Sequence, residues 1–193
     1  MTETLTVNLG DIHEHDRPRV GGKAVSLARL RGGGFRIPDG LVITRDAYDQ
    51  FVDETGLRRR IFFELGRKEF DQMRWEEIWD VALRIRNHFL RTPLPNALRC
   101  SIADAVTATF AGDALVARSS AADEDTAQTS FAGLHESYVN IQGEENILKH
   151  VRLVWASLWS DRALLYRSEL GLDVKASSMA VILQKLTHGN ASG

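Results

Sequence analysis

Hydrophobic positions along this chain alternate between two periods, one of three to four residues and one of two. Between residues 75 and 90, Trp75, Ile78, Trp79, Ala82, Ile85 and Phe89 recur at helical steps, predicting an amphipathic helix with those side chains inward. Similar spacing predicts helices over 23–31, with Leu27 and Leu30 on the buried side, and after Thr44, with Ala47, Tyr48 and Phe51 inward. Thr44 stands where a hydroxyl can cap that second helix. Further helices are predicted over 58–69, 96–110, 144–159 and 161–170, with Ile147, Leu148, Val151, Val154, Trp155 and Leu158 inward in the third of these. Short apolar runs bounded by turn residues predict strands at 5–9, at 41–43, from Leu115, at 135–141 and at 179–186. Residues 13–19 read as a polar loop, Gly32 to Gly34 end the first helix, and Pro93 and Pro95 end the helix at 75–90. No internal repeat, low-complexity tract or composition shift interrupts the chain. The pattern predicts an α+β fold, a mixed or antiparallel sheet with several helices packed on it.

Composition narrows the function classes. With 193 residues, 44% of them hydrophobic, the chain can bury a sizeable core. Its 24 basic and 26 acidic residues give a net charge of −2, which predicts no broad footprint for nucleic acid. No apolar stretch is long enough to span a bilayer, and the N-terminus lacks a basic region followed by an apolar one, so a cytoplasmic protein without a membrane partner is expected. The single cysteine, Cys100, excludes an intrachain disulfide and reads as a packed core thiol. Trp75, Trp79, Trp155 and Trp159 recur at helical spacing and read as core side chains.

The densest candidate chemistry lies between residues 115 and 138, LVARSSAADEDTAQTSFAGLHESY. A short apolar strand delivers Arg118 into a loop rich in serine, acid and glycine. An arginine at a strand mouth presents a planar charged fork to phosphate oxygens, and Ser119 and Ser120 add donors. Gly133 allows a backbone to approach a ligand closely. Arg118 together with Gly133 favours a site, whereas the acidic run Asp123, Glu124, Asp125 by itself reads as a solvated loop. Near the start, Gly21 and Gly22 precede Lys23 at a predicted helix start, where free backbone N–H groups and the positive end of the helix suit an anion. On spacing alone that triplet is a flexible turn carrying a solvated lysine, because the full G-x-x-x-x-G-K-[ST] pattern is missing.

Four separated blocks, in order, resemble one family. GGKAVSLARL and IPDGLVIT are similar to its GGKG-x-x-L and V-P-x-G-F-x-x-T; RSSAADED with SFAGLHESYVNI is similar to its RSSATAED and SFAGQ segments; WASLWSDRALLYR is similar to its W-A-S-L-x-x-x-R-A-x-x-Y-R. The family is the nucleotide-binding domain of phosphoenolpyruvate synthases, pyruvate phosphate dikinases and rifampin phosphotransferases. The resemblance implies an ATP-grasp-like first lobe, with residues 1–193 forming an incomplete N-terminal ATP-binding domain. It implies that the second lobe, the phosphohistidine domain and the acceptor domain lie outside this segment.

The same resemblance assigns residues. Lys23 and Arg118 match the family's phosphate-contacting, catalytic cations; Gly133 and Ser137 match the loop and strand over the triphosphate; Gln184 matches a glutamine near the adenine, its other reading being a polar residue on an exposed strand face. Asp161, Arg162, Tyr166 and Arg167 belong to the helical block and read as ion pairs and packing. The cofactors implied are ATP and Mg2+, with the magnesium ligands expected in the part not contained here. None of the six histidines sits in a phosphocarrier context. Ala122 and Asp123 replace Thr-Ala, Leu134 and His135 replace a Gln-rich pair, and Ser137 replaces threonine, so contacts around the nucleotide are expected to be retuned. The implied function is to bind ATP in a phosphotransferase that moves a phosphoryl group through a phosphohistidine to pyruvate or to an antibiotic hydroxyl. By itself the chain is expected to be catalytically silent. A non-catalytic nucleotide-binding or interaction module is the reading from another class.

Overall fold

The computed structural model describes residues 4–121 and 136–187. Strands β1 (Thr6–Asn8), β2 (Gly40–Ile43), β3 (Leu115–Ser120), β4 (Ser137–Ile141) and β5 (Ala180–Lys185) form a sheet in the order β1-β2-β5-β3-β4. Every neighbouring pair is antiparallel. The expected α+β class therefore holds, with the antiparallel option realised.

Pleating divides the strand residues between two cores. Leu41, Ile43, Leu115, Ala117, Ile141, Val181 and Leu183 project into the larger one. There they meet α3 (Arg45–Glu54), α4 (Leu57–Leu65), α5 (Trp75–Arg91), α6 (Asn96–Phe110), α7 (Glu144–Ser157) and α8 (Asp161–Glu169). Val42, Ala180 and Ile182 point the other way, into a smaller core with Leu9, Ile12, Val20, Ala24 and Val25. Helices α1 (Arg17–Val20) and α2 (Gly22–Gly32) supply that second layer. β5 is central and covered on both faces, which is why its first five residues are all buried and the first four read as one apolar run.

The centre of the larger core is aromatic. Trp155 stacks on Phe51 with ring centroids 5.3 Å apart and meets Tyr48 edge-on at 5.8 Å. The Trp159 indole N–H donates to the Tyr48 hydroxyl at 3.1 Å, so both polar atoms are satisfied inside the core. Burial pushes the Tyr48 phenol up from its usual range. Glu64, also buried, is held by Arg84 at 2.8 Å and Arg67 at 3.4 Å.

Several local expectations are corrected. The core-facing arc of α5 is taken by Ile78, Val81, Ala82, Ile85 and Phe89, which turns Trp75 and Trp79 outward; only Trp155 and Trp159 are core tryptophans. Cys100 is exposed, because Leu98, Ile102, Val106 and Phe110 define the buried side of α6. On α2 the buried residues are Gly22, Ala24 and Val25, and Leu30 is exposed. Small side chains win there because the helix start lies against β3. Residues 13–19 contain a short 3-10 turn and the start of α1 rather than a plain loop. Thr44 occupies the N-cap position, but its hydroxyl donates to the Thr4 and Leu5 carbonyls at 3.3 and 3.2 Å, tying β1 to the sheet edge.

Glu77 supplies an acid-sensitive contact at the start of α5. Its carboxylate accepts from Lys68 Nζ and from the Arg74 backbone N–H, both at 2.8 Å. The Lys68 hydrogen bond, then that of Arg74, pulls its pKa down to about 2 from 4.5. The folded value lies below the unfolded one, so this contribution is present above pH 4.5 and is lost as pH falls toward about 2. Glu77→Gln is expected to flatten the stability slope across that window, measured by denaturant midpoints at successive pH values. An unchanged slope would show that the contact carries no linked stability.

Candidate functional site

The turn that opens α2 is locked onto the end of β3. Gly21 has φ +81° and ψ 165°, a backbone conformation open to glycine. A Cβ added there would lie 2.4 Å from Ser120 Oγ and 2.5 Å from the Ser120 carbonyl oxygen. This close approach lets the Gly22 N–H donate to the Ala121 carbonyl at 3.1 Å and the Ala24 N–H donate to Ser120 Oγ at 3.2 Å. The helix start is thus capped by the strand, a correction to the expectation that its N–H groups stay free for an anion. Ser119 and Ser120 are likewise buried, and Ser120 Oγ serves as a cap.

Lys23 is carried on this locked turn. Its ammonium donates to the Ser119 carbonyl at 3.2 Å, one residue beyond Arg118. A lysine and an arginine 95 positions apart in the chain are therefore brought to one strand end. Arg118 itself is half-buried.

Register decides which further side chains share the Arg118 face. Arg118 pairs with Ser137 on one side and with Ile182 on the other. Gln184, two residues along β5, pairs with Val116 and with Gly40. Directly paired residues lie on the same face and residues two apart repeat it, so Arg118, Ser137 and Gln184 share the face that carries α1 and α2. Ser137 is exposed on β4. Gln184 is only 7% exposed, which corrects the reading of it as a residue on an open strand face. Its amide donates to the Pro38 carbonyl at 3.4 Å, and its Cγ would be 3.2 Å from a Cβ at position 40. The turn before β2 thereby helps to seat this side chain. Gly133 lies outside the described residues, as do Asp123, Glu124 and Asp125.

Residue patterns did not flag Gly21, Ser120 and Pro38 as the groups that hold this arrangement together. The available signal was indirect: a glycine pair at a helix start and small polar residues ending a buried strand suit close packing of one backbone on another. In the helical block, Arg167 is buried and donates to the Leu158 carbonyl, in keeping with a packing role.

A cavity of about 600 Å³ lined by Pro93, Leu94, Arg99, Lys149 and Arg152 shares no residue with this group. Among the described residues no three acidic, histidine or cysteine side chains converge as metal ligands, so no step through magnesium is assigned to them. No described helix is long and apolar enough to cross a membrane.

Comparison with known proteins meets this geometry from another direction. Residues 17–193 match the family described as pyruvate phosphate dikinase, AMP/ATP-binding domain. The chain is 39% identical over 198 residues to a phosphoenolpyruvate synthase of Aeropyrum pernix, covering 100% of this chain and 24% of that protein. It is 35% identical over 195 residues to a rifampicin phosphotransferase of a Streptomyces species, covering 100% of this chain and 22% of the relative. A phosphoenolpyruvate synthase of Escherichia coli is 33% identical over 183 residues, covering 91% of this chain and 23% of that protein. The chain thus spans about a quarter of the length of these relatives. The family match over nearly the whole chain shows that this chain belongs to the pyruvate phosphate dikinase AMP/ATP-binding domain family.

Proposed function

We propose that this chain binds ATP where Lys23 and Arg118 meet at the end of β3, with Ser137 and Gln184 contributing from the same sheet face, as the nucleotide-binding part of a phosphoenolpyruvate synthase-like phosphotransferase. One observation carries the reading: the lock between Gly21 and Ser120 brings Lys23 to the strand end that carries Arg118. Two cations held on rigid elements suit a polyphosphate, whose in-line transfer depends on positioning and charge neutralisation. Lys23 acts as a point charge on the terminal phosphates, and Arg118 as a planar fork. Gln184, on the same sheet face as Arg118, is assigned to the adenine end of the nucleotide.

Gly133 and Ser137 join this assignment as groups over the triphosphate. Magnesium is assigned to ATP as its usual counterion, without ligands among the described residues. The acceptor in this reading is pyruvate, reached through a phosphohistidine outside these 193 residues. The 39% identity to a phosphoenolpyruvate synthase, against 35% to a rifampicin phosphotransferase, favours pyruvate over rifampicin. In keeping with the acidic overall charge, no nucleic-acid partner is assigned, and the setting proposed is the cytoplasm.

Calorimetric titration with ATP, with and without magnesium, tests the site. Saturable binding is expected, with Arg118→Ala and Lys23→Ala each weakening it by about tenfold or more, as charge-assisted contacts are lost. Equal affinity in both variants, with melting temperatures unchanged, would remove these two residues from the site.

A further inference from the structure

Helix α5 is apolar on two sides. Its inner side faces the larger core, while Trp75 (61% exposed), Trp79 (49%), Leu83 (41%) and Leu90 (41%) form an outer stripe. Their steps of four, four and seven residues keep them along one face of a helix that rises about 25 Å over its length. Two half-exposed indoles and two leucines on one helix exceed the scattered apolar residues of an ordinary surface.

The charges along α5 are segregated. Glu76, Glu77 and Asp80 occupy its first part, and Arg84, Arg86 and Arg91 its second. Most of them are engaged within the molecule. Glu77 pairs with Lys68, Arg84 with Glu64 and Asp80, and Arg86 with Glu136 at 3.0 Å. Among the described residues, Glu76 and Arg91 have no ion-pair partner. Each directly follows an end residue of the stripe, Glu76 after Trp75 and Arg91 after Leu90.

We propose that α5 is a self-association surface on which a second copy of this chain docks its own α5 antiparallel. A two-fold axis beside Leu83 sets Leu83 against its counterpart and brings each Trp75 near the partner's Leu90 end. It also brings each Glu76 toward the partner's Arg91, so both unpaired charges gain a partner twice over. A parallel arrangement would set like charges side by side, so the segregation selects the antiparallel one. One helix pair of this length falls at the low end of specific interfaces, so the dimer is a reversible one. The proposal is independent of the nucleotide site, because no residue of the stripe belongs to it.

Sedimentation equilibrium of the 193-residue chain over a concentration series tests it. A monomer–dimer equilibrium is expected. Trp79→Glu and, separately, Leu83→Glu weaken it by about tenfold or more, because each sets a carboxylate against the partner's apolar stripe. Circular dichroism confirms that both variants stay folded, and neither side chain is in the core. Glu76→Arg and Arg91→Glu each weaken the dimer by about fivefold, and the double exchange restores it. A chain that stays monomeric throughout, or a dimer indifferent to Trp79→Glu and Leu83→Glu, overturns the surface. A double exchange no better than the single ones overturns the antiparallel arrangement.

Discussion

A Gly21→Ala chain is expected to melt well below the unsubstituted protein and to lose most of its ATP affinity. Two penalties act at one atom. The backbone at φ +81° and ψ 165° is a region that residues with a Cβ scarcely occupy, at about 1–3 kcal/mol. In addition, the new methyl group would sit 2.4–2.6 Å from Ser120 Oγ, O and C, and the last two are backbone atoms of a buried strand that cannot swing away. Relief requires the start of α2 to move away from β3. The Gly22 and Ala24 hydrogen bonds to Ala121 and Ser120 then stretch, and Lys23 leaves the Ser119 carbonyl. The expected loss is about 2–4 kcal/mol of stability, with ATP binding at least about tenfold weaker. Gly171→Ala is the control: its φ is +66°, but nothing lies within 4 Å of an added Cβ. That variant carries the strain without the collision and should bind ATP normally. If Gly21→Ala matched Gly171→Ala in both thermal melting and ATP titration, the lock between α2 and β3 would have no role in holding the site.

The second large effect concerns the core. Trp155 is fully buried among Tyr48, Phe51 and Phe89, with direct ring contacts to the first two. Trp155→Ala deletes the indole from a close-packed aromatic cluster that links α3, α5 and α7, at a cost of about 3–5 kcal/mol. For a chain of this size the melting temperature should fall by on the order of 10 °C. Trp155→Phe, which keeps an apolar ring, should recover most of the loss. A Trp75→Ala chain is the contrast, because that side chain is 61% exposed and outside the core. Equal melting temperatures for Trp155→Ala and Trp75→Ala would contradict this division of the four tryptophans.

Trp155 also marks where sequence patterns succeed. Trp155 belongs to a run of inward positions from Ile147 to Leu158 that helical spacing alone identifies, and the structure buries it as expected. Trp79 has the same spacing relative to its neighbours and is nevertheless outside. Periodicity fixes the angle between two side chains on a helix, but not where the helix presses its neighbours. On α5 the apolar arc is wider than the core contact, so its edge remains in water. Cys100 fails for the same reason, since an apolar neighbourhood in sequence does not fix which arc of α6 is covered.

The chain's order of helices and short strands, the family blocks around Lys23 and Arg118, and the α+β class were determined by the sequence itself, because periodicity and turn chemistry act locally. Only the tertiary structure decided that β5 lies between β2 and β3, and that Arg118, Ser137 and Gln184 share one face. It also decided that Lys23 reaches Ser119 because Gly21 has no side chain to keep α2 and β3 apart. The reason is physical: strand register and backbone-to-backbone approach are contacts between residues far apart in the chain, and no local period encodes which distant backbone a glycine will meet.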